Sequence, residues 1–257
     1  MTDKLITDKF MLDKLTKGSV MKLSTLKENS EDEKVMGDSK VIVTNQPGIH
    51  EKLAEVVSKH LKHASKKPYQ AHTLEAFEQA DTLVKAHNAE IILDSCCGVG
   101  QSTRLLAKRN PQAIVIGVDK SAHRINKNDQ ELKENTDTQQ VDNYLLVRAD
   151  LNDFYRLVRQ ANWPVSKHYI LYPNPWPKAK HLQRRWHGSA VFPDIIAIGE
   201  QIILRSNWRL YLEEFQFAAG LTEKSGEITL VEDQQPLTPF EAKYRASGQP
   251  CWQLSIY

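Results

Sequence analysis

The chain is poor in cysteine: three in 257 residues, and two of those adjacent as Cys96 and Cys97. So few thiols exclude a disulfide framework, and neighbouring cysteines do not make the CxxC spacing of a metal site. Thiols kept reduced in the cytoplasm are the simplest reading. Long apolar runs are missing too, so no stretch reaches membrane-spanning length. The opening MTDKLITDKFMLDKL interleaves Asp with Lys and has no apolar centre, unlike a secretory signal. Charge of one sign is also lacking. Lys and Arg number 34 against 32 Asp and Glu, a net charge of +2. Any nucleic-acid contact must therefore rest on local clustering of cations. No internal repeat or low-complexity block is present.

What is present is a globular composition, 40% hydrophobic and 26% charged. Residues 1–45 mix Lys, Asp, Glu and Ser without sustained periodicity and read as a mobile or weakly helical leader. Residues 46–257 read as one folded domain. Two helices come first, with Leu53, Val56, Val57 and Leu61 on one face, then Leu74, Phe77 and Leu83 on another. After them short apolar strands alternate with helices: AEIILD, STRLLAKR, AIVIGVD, SAHRINKNDQELKEN, NYLLVRAD, LNDFYRLVRQA and KHYILYPN. FPDIIAIGEQIIL is expected as a helix and NWRLYLEE as a strand. Such alternation predicts an α/β fold, a mostly parallel sheet with helices on both faces. GEITLVED and CWQLSIY suggest a C-terminal antiparallel hairpin on the sheet edge.

The first strand-to-helix turn, ILDSCCGVGQST, ends a strand at Asp94 and places Cys96, Cys97, Gly98 and Gly100 before a helix. In doubly wound folds a ligand lies outside the carboxyl ends of the strands. Small residues let the backbone approach it. The second strand ends at Asp119, where an acid can accept hydrogen bonds from a ribose diol, and the third ends at Asp150. The three-glycine dinucleotide fingerprint is absent. The set of an acid, small residues, two glycines and further strand-end acids instead looks like the S-adenosyl-L-methionine site of class I methyltransferases.

The fourth strand runs into YPNPWPKAKHLQRR. Prolines at 173, 175 and 177 bracket Asn174 and Trp176, and Lys178, Lys180, His181, Arg184 and Arg185 follow. Proline fixes φ and lowers the cost of ordering a loop. The cations form a surface suited to phosphates, and Trp176 either stacks on a base or wedges the loop onto the core. This stretch resembles the PDPWPKxRHxKRR signature of the tRNA (guanine-N7)-methyltransferase family. TPFEAKYRASGQPCWQL resembles the same family's TxFExxxxxxGxxxxxL element. The resemblance covers roughly residues 48–257.

It implies a Rossmann-like class I methyltransferase that uses S-adenosyl-L-methionine to methylate N7 of a guanine in tRNA, in the cytoplasm and without a membrane. It implies cofactor binding by Asp94, Cys96, Gly98, Gly100, Asp119, Asp150 and Asn174, with Asn174 at the catalytic position. It implies tRNA contact at Lys178, phosphate contact at Lys180, His181, Arg184 and Arg185, substrate binding at Asn207, and a guanine pocket faced by Thr238 and Glu241. The oligomeric state stays open between monomer and homodimer. Two positions depart from the pattern: Asn174 and Asn207 stand where the family has Asp. An amide can position a base edge but carries no negative charge. Two other functions therefore stand beside the first. One is methylation of another base or of an exocyclic amine, since NPW partly matches the NPPY/F loop of amino methyltransferases. The other is a catalytically weak tRNA- and cofactor-binding homologue.

Overall fold

The computed structural model describes residues 39–87, 89–127 and 142–257. The expected leader falls outside these residues up to position 38, as does the second half of the polar helix after Asp119. Helices α1 (Leu53–Lys62) and α2 (Ala71–Ala86) precede strand β1 (Glu90–Ser95). Then come α3 (Gln101–Arg109), β2 (Ala113–Asp119), a helical stretch over 122–127, β3 (Tyr144–Arg148), α4 (Leu151–Gln160) and β4 (Val165–Leu171). Two short 3₁₀ turns, Ala179–Arg184 and Trp186–Gly188, lead to α5 (Phe192–Ala197), β5 (Gln201–Ser206) and α6 (Arg209–Gly220). Strand β6 (Gly226–Leu230), α7 (Pro239–Ala246) and β7 (Trp252–Ile256) finish the chain.

The seven strands form one sheet in the order β3-β2-β1-β4-β5-β7-β6. The first five pair in parallel, and β7 runs antiparallel to both β5 and β6. Strand order reverses beside β1, which pairs with β2 on one side and β4 on the other. That switch point opens a crevice at the carboxyl edge. AIVIGVD is buried at every position of β2, as a central parallel strand requires. The main core includes Ile91, Leu93, Ile116, Phe154, Ile202 and Phe215. Ile92, Val115, Leu106 and Ala107 form a smaller core under α3 on the opposite face. Phe77 stacks on Trp163 at 5.2 Å and Phe154 meets both edge-on, so Phe154→Ala would cost about 3–5 kcal/mol.

The two expected edge strands pair as predicted, but α7 lies between them in sequence, so they are not joined by a tight hairpin. The expectation for 192–214 needs a larger correction. Its helix ends at Ala197, Gly199 turns the chain at φ +88°, and QIILRS is the buried strand β5. The expected strand NWRLYLEE instead opens helix α6, burying Tyr211, Leu212, Glu214 and Phe215. A short apolar run such as IIAI or QIIL has no periodicity that separates strand from helix. Leu74 and Leu61, placed on the core faces of α2 and α1, are 36% and 39% exposed, and Ala80 and Val57 face inward in those helices.

Residues 39–46 belong to the fold. Ser39 N–H donates to Ser247 Oγ, Gln249 Nε2 donates to Ser39 O, and Thr44 Oγ1 donates to Pro177 O at 2.6 Å. Ala179 N–H donates to Asn45 Oδ1 at 2.9 Å.

Candidate functional site

The carboxyl ends of the five parallel strands each carry one of the acids or amides singled out above. Asp94 is the penultimate residue of β1, Asp119 ends β2 and Asp150 follows β3. Asn174 follows β4 and Asn207 follows β5. Gly117 seats α3 against β2: a Cβ there would collide with Thr103 and Leu146. Thr103 and Ser102 in turn donate to Asp94 Oδ2 at 2.7 and 2.6 Å.

Asp94 is wholly buried, and its Oδ1 has no hydrogen-bond partner. Burial pushes its carboxyl up to about 6, against the pull of the Ser102 and Thr103 hydroxyls. Cys96 holds φ +62°, Gly98 φ +61° and Gly100 φ +77°. A left-handed backbone is where glycine is cheapest, so Cys96 keeps the turn at the cost of some strain. Space is open where a Cβ of Gly98 would sit. Burial, with Asp119 and Asp94 nearby, pushes the Cys96 thiol up to about 12, and Cys97 also rises well above its usual range. Neither is a reactive thiolate.

Asp119 Oδ2 accepts Gly98 N–H at 3.1 Å and Oδ1 accepts Ser121 N–H at 2.8 Å, while Arg124 stands 3.6 Å away. It thus braces the turn, with one backbone N–H on each oxygen. Asp150 caps α4, its Oδ1 accepting from Asn152 N and Nδ2 at 2.9 and 2.8 Å. Burial would raise its carboxyl, but the Asn152 bonds together with Gln70 and Lys67 lower it.

Beyond β4, Tyr172 and Trp176 both take left-handed φ, +50° and +44°. Asn174 is exposed, and its Oδ1 accepts Trp176 N–H at 3.3 Å. Arg184 lies over the Trp176 ring at 4.6 Å and His181 meets it edge-on at 5.5 Å. One face of the indole is therefore already covered by a guanidinium. Lys178, Lys180 and Arg184 are exposed and His181 is half-buried. Desolvation and the neighbouring Arg184, Lys180 and Lys178 hold the His181 ring below its ordinary value.

Arg185 does not belong to that cationic surface. It is wholly buried, so the expected phosphate contact is corrected. Its Nε and Nη2 donate to Trp176 O at 3.2 and 3.1 Å, and Nη2 reaches Lys178 O at 3.4 Å. Nη1 donates to Gln46 Oε1 at 3.1 Å and pairs with Glu214, while the guanidinium lies 5.0 Å from the Trp208 ring centre. Arg185 is the extended residue between the two 3₁₀ turns, and a run of basic residues gives no signal of which one points inward.

The expected guanine-pocket residues also differ from expectation. Glu241 is wholly buried, and its carboxylate accepts from Arg205 at 3.2 and 3.3 Å and from Arg245 at 2.5 Å. Thr238 caps α7 by accepting Glu241 N–H at 3.0 Å, with Pro239 as the first helical residue. Both are thus engaged within the fold, Glu241 by two arginines and Thr238 as a helix cap. Asn207 is half-buried, and its Nδ2 donates to Gln249 Oε1 at 2.9 Å. Sequence reasoning missed Gln46, His187, Arg205 and Glu214, which lie outside the recognised motifs.

A parallel sheet with this order, its antiparallel seventh strand and its acid-tipped carboxyl edge defines the class I methyltransferase fold. A bound form of the 16S rRNA (adenine(1408)-N(1))-methyltransferase from Catenulisporales acidiphilia, solved with its cosubstrate SAM, has the same fold. The likeness has TM-score 0.50 and 15% identity, and covers 69% of this chain and 89% of that one. The profile of the Methyltransf_4 family, described as "Putative methyltransferase", matches residues 88–254. The chain belongs to this family. It is 28% identical over 176 residues to the tRNA (guanine-N(7)-)-methyltransferase of Mycoplasma genitalium, covering 64% of this chain and 71% of that protein. It is 24% identical over 173 residues to the enzyme of that name from Marinobacter nauticus, covering 62% and 69%. A further match at 32% to the Shewanella baltica protein of that name is confined to 104 residues, 37% of this chain and 43% of that one. No helix among the described residues is long and apolar enough to cross a membrane, and no cluster of metal-ligating side chains occurs among them.

Proposed function

We propose that this protein transfers a methyl group from S-adenosyl-L-methionine to N7 of a guanine in tRNA, in the cytoplasm. One observation carries the reading: the rigid Pro–Asn–Pro–Trp–Pro loop with exposed Lys178, Lys180 and Arg184 leaves the same sheet edge that holds Asp94, Asp119 and Asp150. The names of the relatives support it.

The residues present fit the cofactor. Asp94 Oδ1, buried without a partner, suits a cationic group, and the open space at Gly98 admits a ligand against the backbone. Asp119 would accept from the ribose hydroxyls and Asp150 from the adenine amine. Cys96 and Gly100 would shape the turn beside them. When bound, the cofactor supplies an electrophilic methyl group.

Guanine N7 carries its own in-plane lone pair, so no residue has to remove a proton. The protein's task is alignment and exclusion of water, and orientation alone can be worth roughly 7–11 kcal/mol. Asn174 would orient the base through its amide, while Lys178, Lys180, His181 and Arg184 hold the tRNA backbone. The cationic product purine would gain from a carboxylate nearby. Glu241 is shared between two arginines and Asn174 is neutral, so that gain is small here.

That neutrality favours a second reading, in which the exposed Asn174 amide accepts from an exocyclic amine. One experiment separates them: incubate unmodified tRNA with labelled cofactor and identify the methylated nucleoside by mass spectrometry. N7-methylguanine is expected. N6-methyladenine or N2-methylguanine without the N7 product would overturn the first reading. Binding without turnover, with activity gained in Asn174→Asp plus Asn207→Asp, would mark a weak homologue.

A further inference from the structure

We infer that Glu214 is a positioning residue for methyl transfer, acting through Arg185 to fix the loop that carries Asn174 and Trp176. The inference rests on the functional reading above and extends it to a residue outside the recognised motifs.

Glu214 is wholly buried on α6, and both of its oxygens are fully used. Oε1 accepts from Gln46 Nε2 and from His50 N–H at 2.9 Å. Oε2 accepts from Arg185 Nη1 and from His187 Nε2 at 2.9 Å. Four donors converge on one carboxylate, the most its lone pairs accept in good geometry. The arrangement has a direction. Arg185 turns its remaining N–H groups to the carbonyls of Trp176 and Lys178, inside the proline-rich loop. Thr44 takes the intervening carbonyl of Pro177, and Asn45 takes Ala179 N–H. Backbone groups at positions 176, 177, 178 and 179 are thus all held from outside the loop.

This clamp reaches the candidate catalytic residue by one step. Trp176 N–H donates to Asn174 Oδ1, so the amide takes its orientation from a residue whose own carbonyl Arg185 holds. Prolines restrict φ but leave a loop free to swing as a unit, and Trp176 sits at an unfavourable positive φ. Something must hold that conformation, and the Arg185 fork does so on one side. Gln46 joins both halves, accepting from Arg185 and donating to Glu214.

Arg185→Lys tests the idea with least damage. Lysine keeps a cation opposite Glu214 but has no planar fork to span Trp176 O and Lys178 O. We expect kcat to fall roughly 10–100-fold. KM for the cofactor and the salt dependence of tRNA binding should stay at wild-type values. Amide hydrogen exchange at Trp176 and Ala179 should quicken about tenfold, matching that loss of order. Glu214→Gln should move the same readouts in the same direction. Should Glu214→Gln fail to fold, Arg185→Lys decides alone. Wild-type kcat in Arg185→Lys would overturn the inference. So would a shallower salt dependence, which would put Arg185 on a phosphate. If the wild-type protein makes no N7-methylguanine on tRNA, the functional reading falls. Unchanged amide exchange in Arg185→Lys overturns the clamp in either case.

Discussion

Asp94 and Glu214 are both carboxylates fully removed from water, yet their acidities move in opposite directions. Burial pushes Asp94 up to about 6, since two hydroxyls on one oxygen leave the other unmatched. Burial works against Glu214 in the same way, but His187, Arg185 and Gln46 bring it down to about 2. Desolvation is common to both; the charged and hydrogen-bonding neighbours of Glu214 overcome it, while the two hydroxyls on Asp94, with Asp119 nearby, do not. An acid left short of donors at a crevice is a place for a ligand to complete. A saturated acid belongs to the scaffold. Glu241, shared between Arg205 and Arg245, falls on the scaffold side although its motif suggested substrate.

The sharpest way to break this contrast is to empty each position. Glu214→Leu leaves Arg185 buried without its counter-ion and His187 without its hydrogen-bond partner, and should cost about 3–5 kcal/mol in urea unfolding. A loss below about 1 kcal/mol would mean that Glu214 holds little together. Asp94→Asn should leave stability at neutral pH unchanged or slightly higher, because it removes a poorly solvated charge. Its cofactor affinity, measured by calorimetry, should drop about 10–100-fold, the worth of one charge-assisted hydrogen bond. Undiminished affinity would remove Asp94 from the site.

Acid titration sharpens the pair further. With its carboxyl raised from 3.8 to about 6, Asp94 binds a proton more readily folded than unfolded. Its contribution therefore grows as pH falls from about 6 towards 4. Glu214, lowered from 4.5 to about 2, contributes fully above 4.5 and loses that contribution as pH falls towards 2. Urea midpoints should show Asp94→Asn losing the gain above pH 4 while the fall below it persists. The smallest effect concerns the loop's outer cations. Lys180→Ala and Arg184→Ala should each flatten the log–log salt dependence of tRNA binding by roughly 0.7–0.9, one phosphate contact apiece. Identical slopes would show that this surface does not meet the backbone.

The sheet was largely legible because β1 to β4 are short apolar runs ended by Asp94, Asp119, Asp150 and the proline loop. Legibility failed where apolar residues continue across a boundary, as from Phe192 to Leu204, and Gly199 alone marks the turn. The tight turn after β1 was readable from residue types and spacing, and Gly98 and Gly100 both take left-handed φ there. The direction of each side chain in the basic run was not. Arg184 and Arg185 are neighbours of identical chemistry, yet one covers Trp176 from outside and the other is sealed inside. Arg185 is set apart by the loop carbonyls of Trp176 and Lys178 and by two partners distant in sequence, Gln46 and Glu214.

Those distances also set an order of events. Thr44 meets a carbonyl 133 positions later and Gln46 a carboxylate 168 positions later. During synthesis the amino-terminal segment leaves the ribosome first and must wait, unpaired, until α6 has emerged. Contacts of such sequence separation form slowly. A nascent chain in which β1 to β4 have already been made therefore still lacks Glu214, and with it the group that holds Arg185 behind the proline-rich loop.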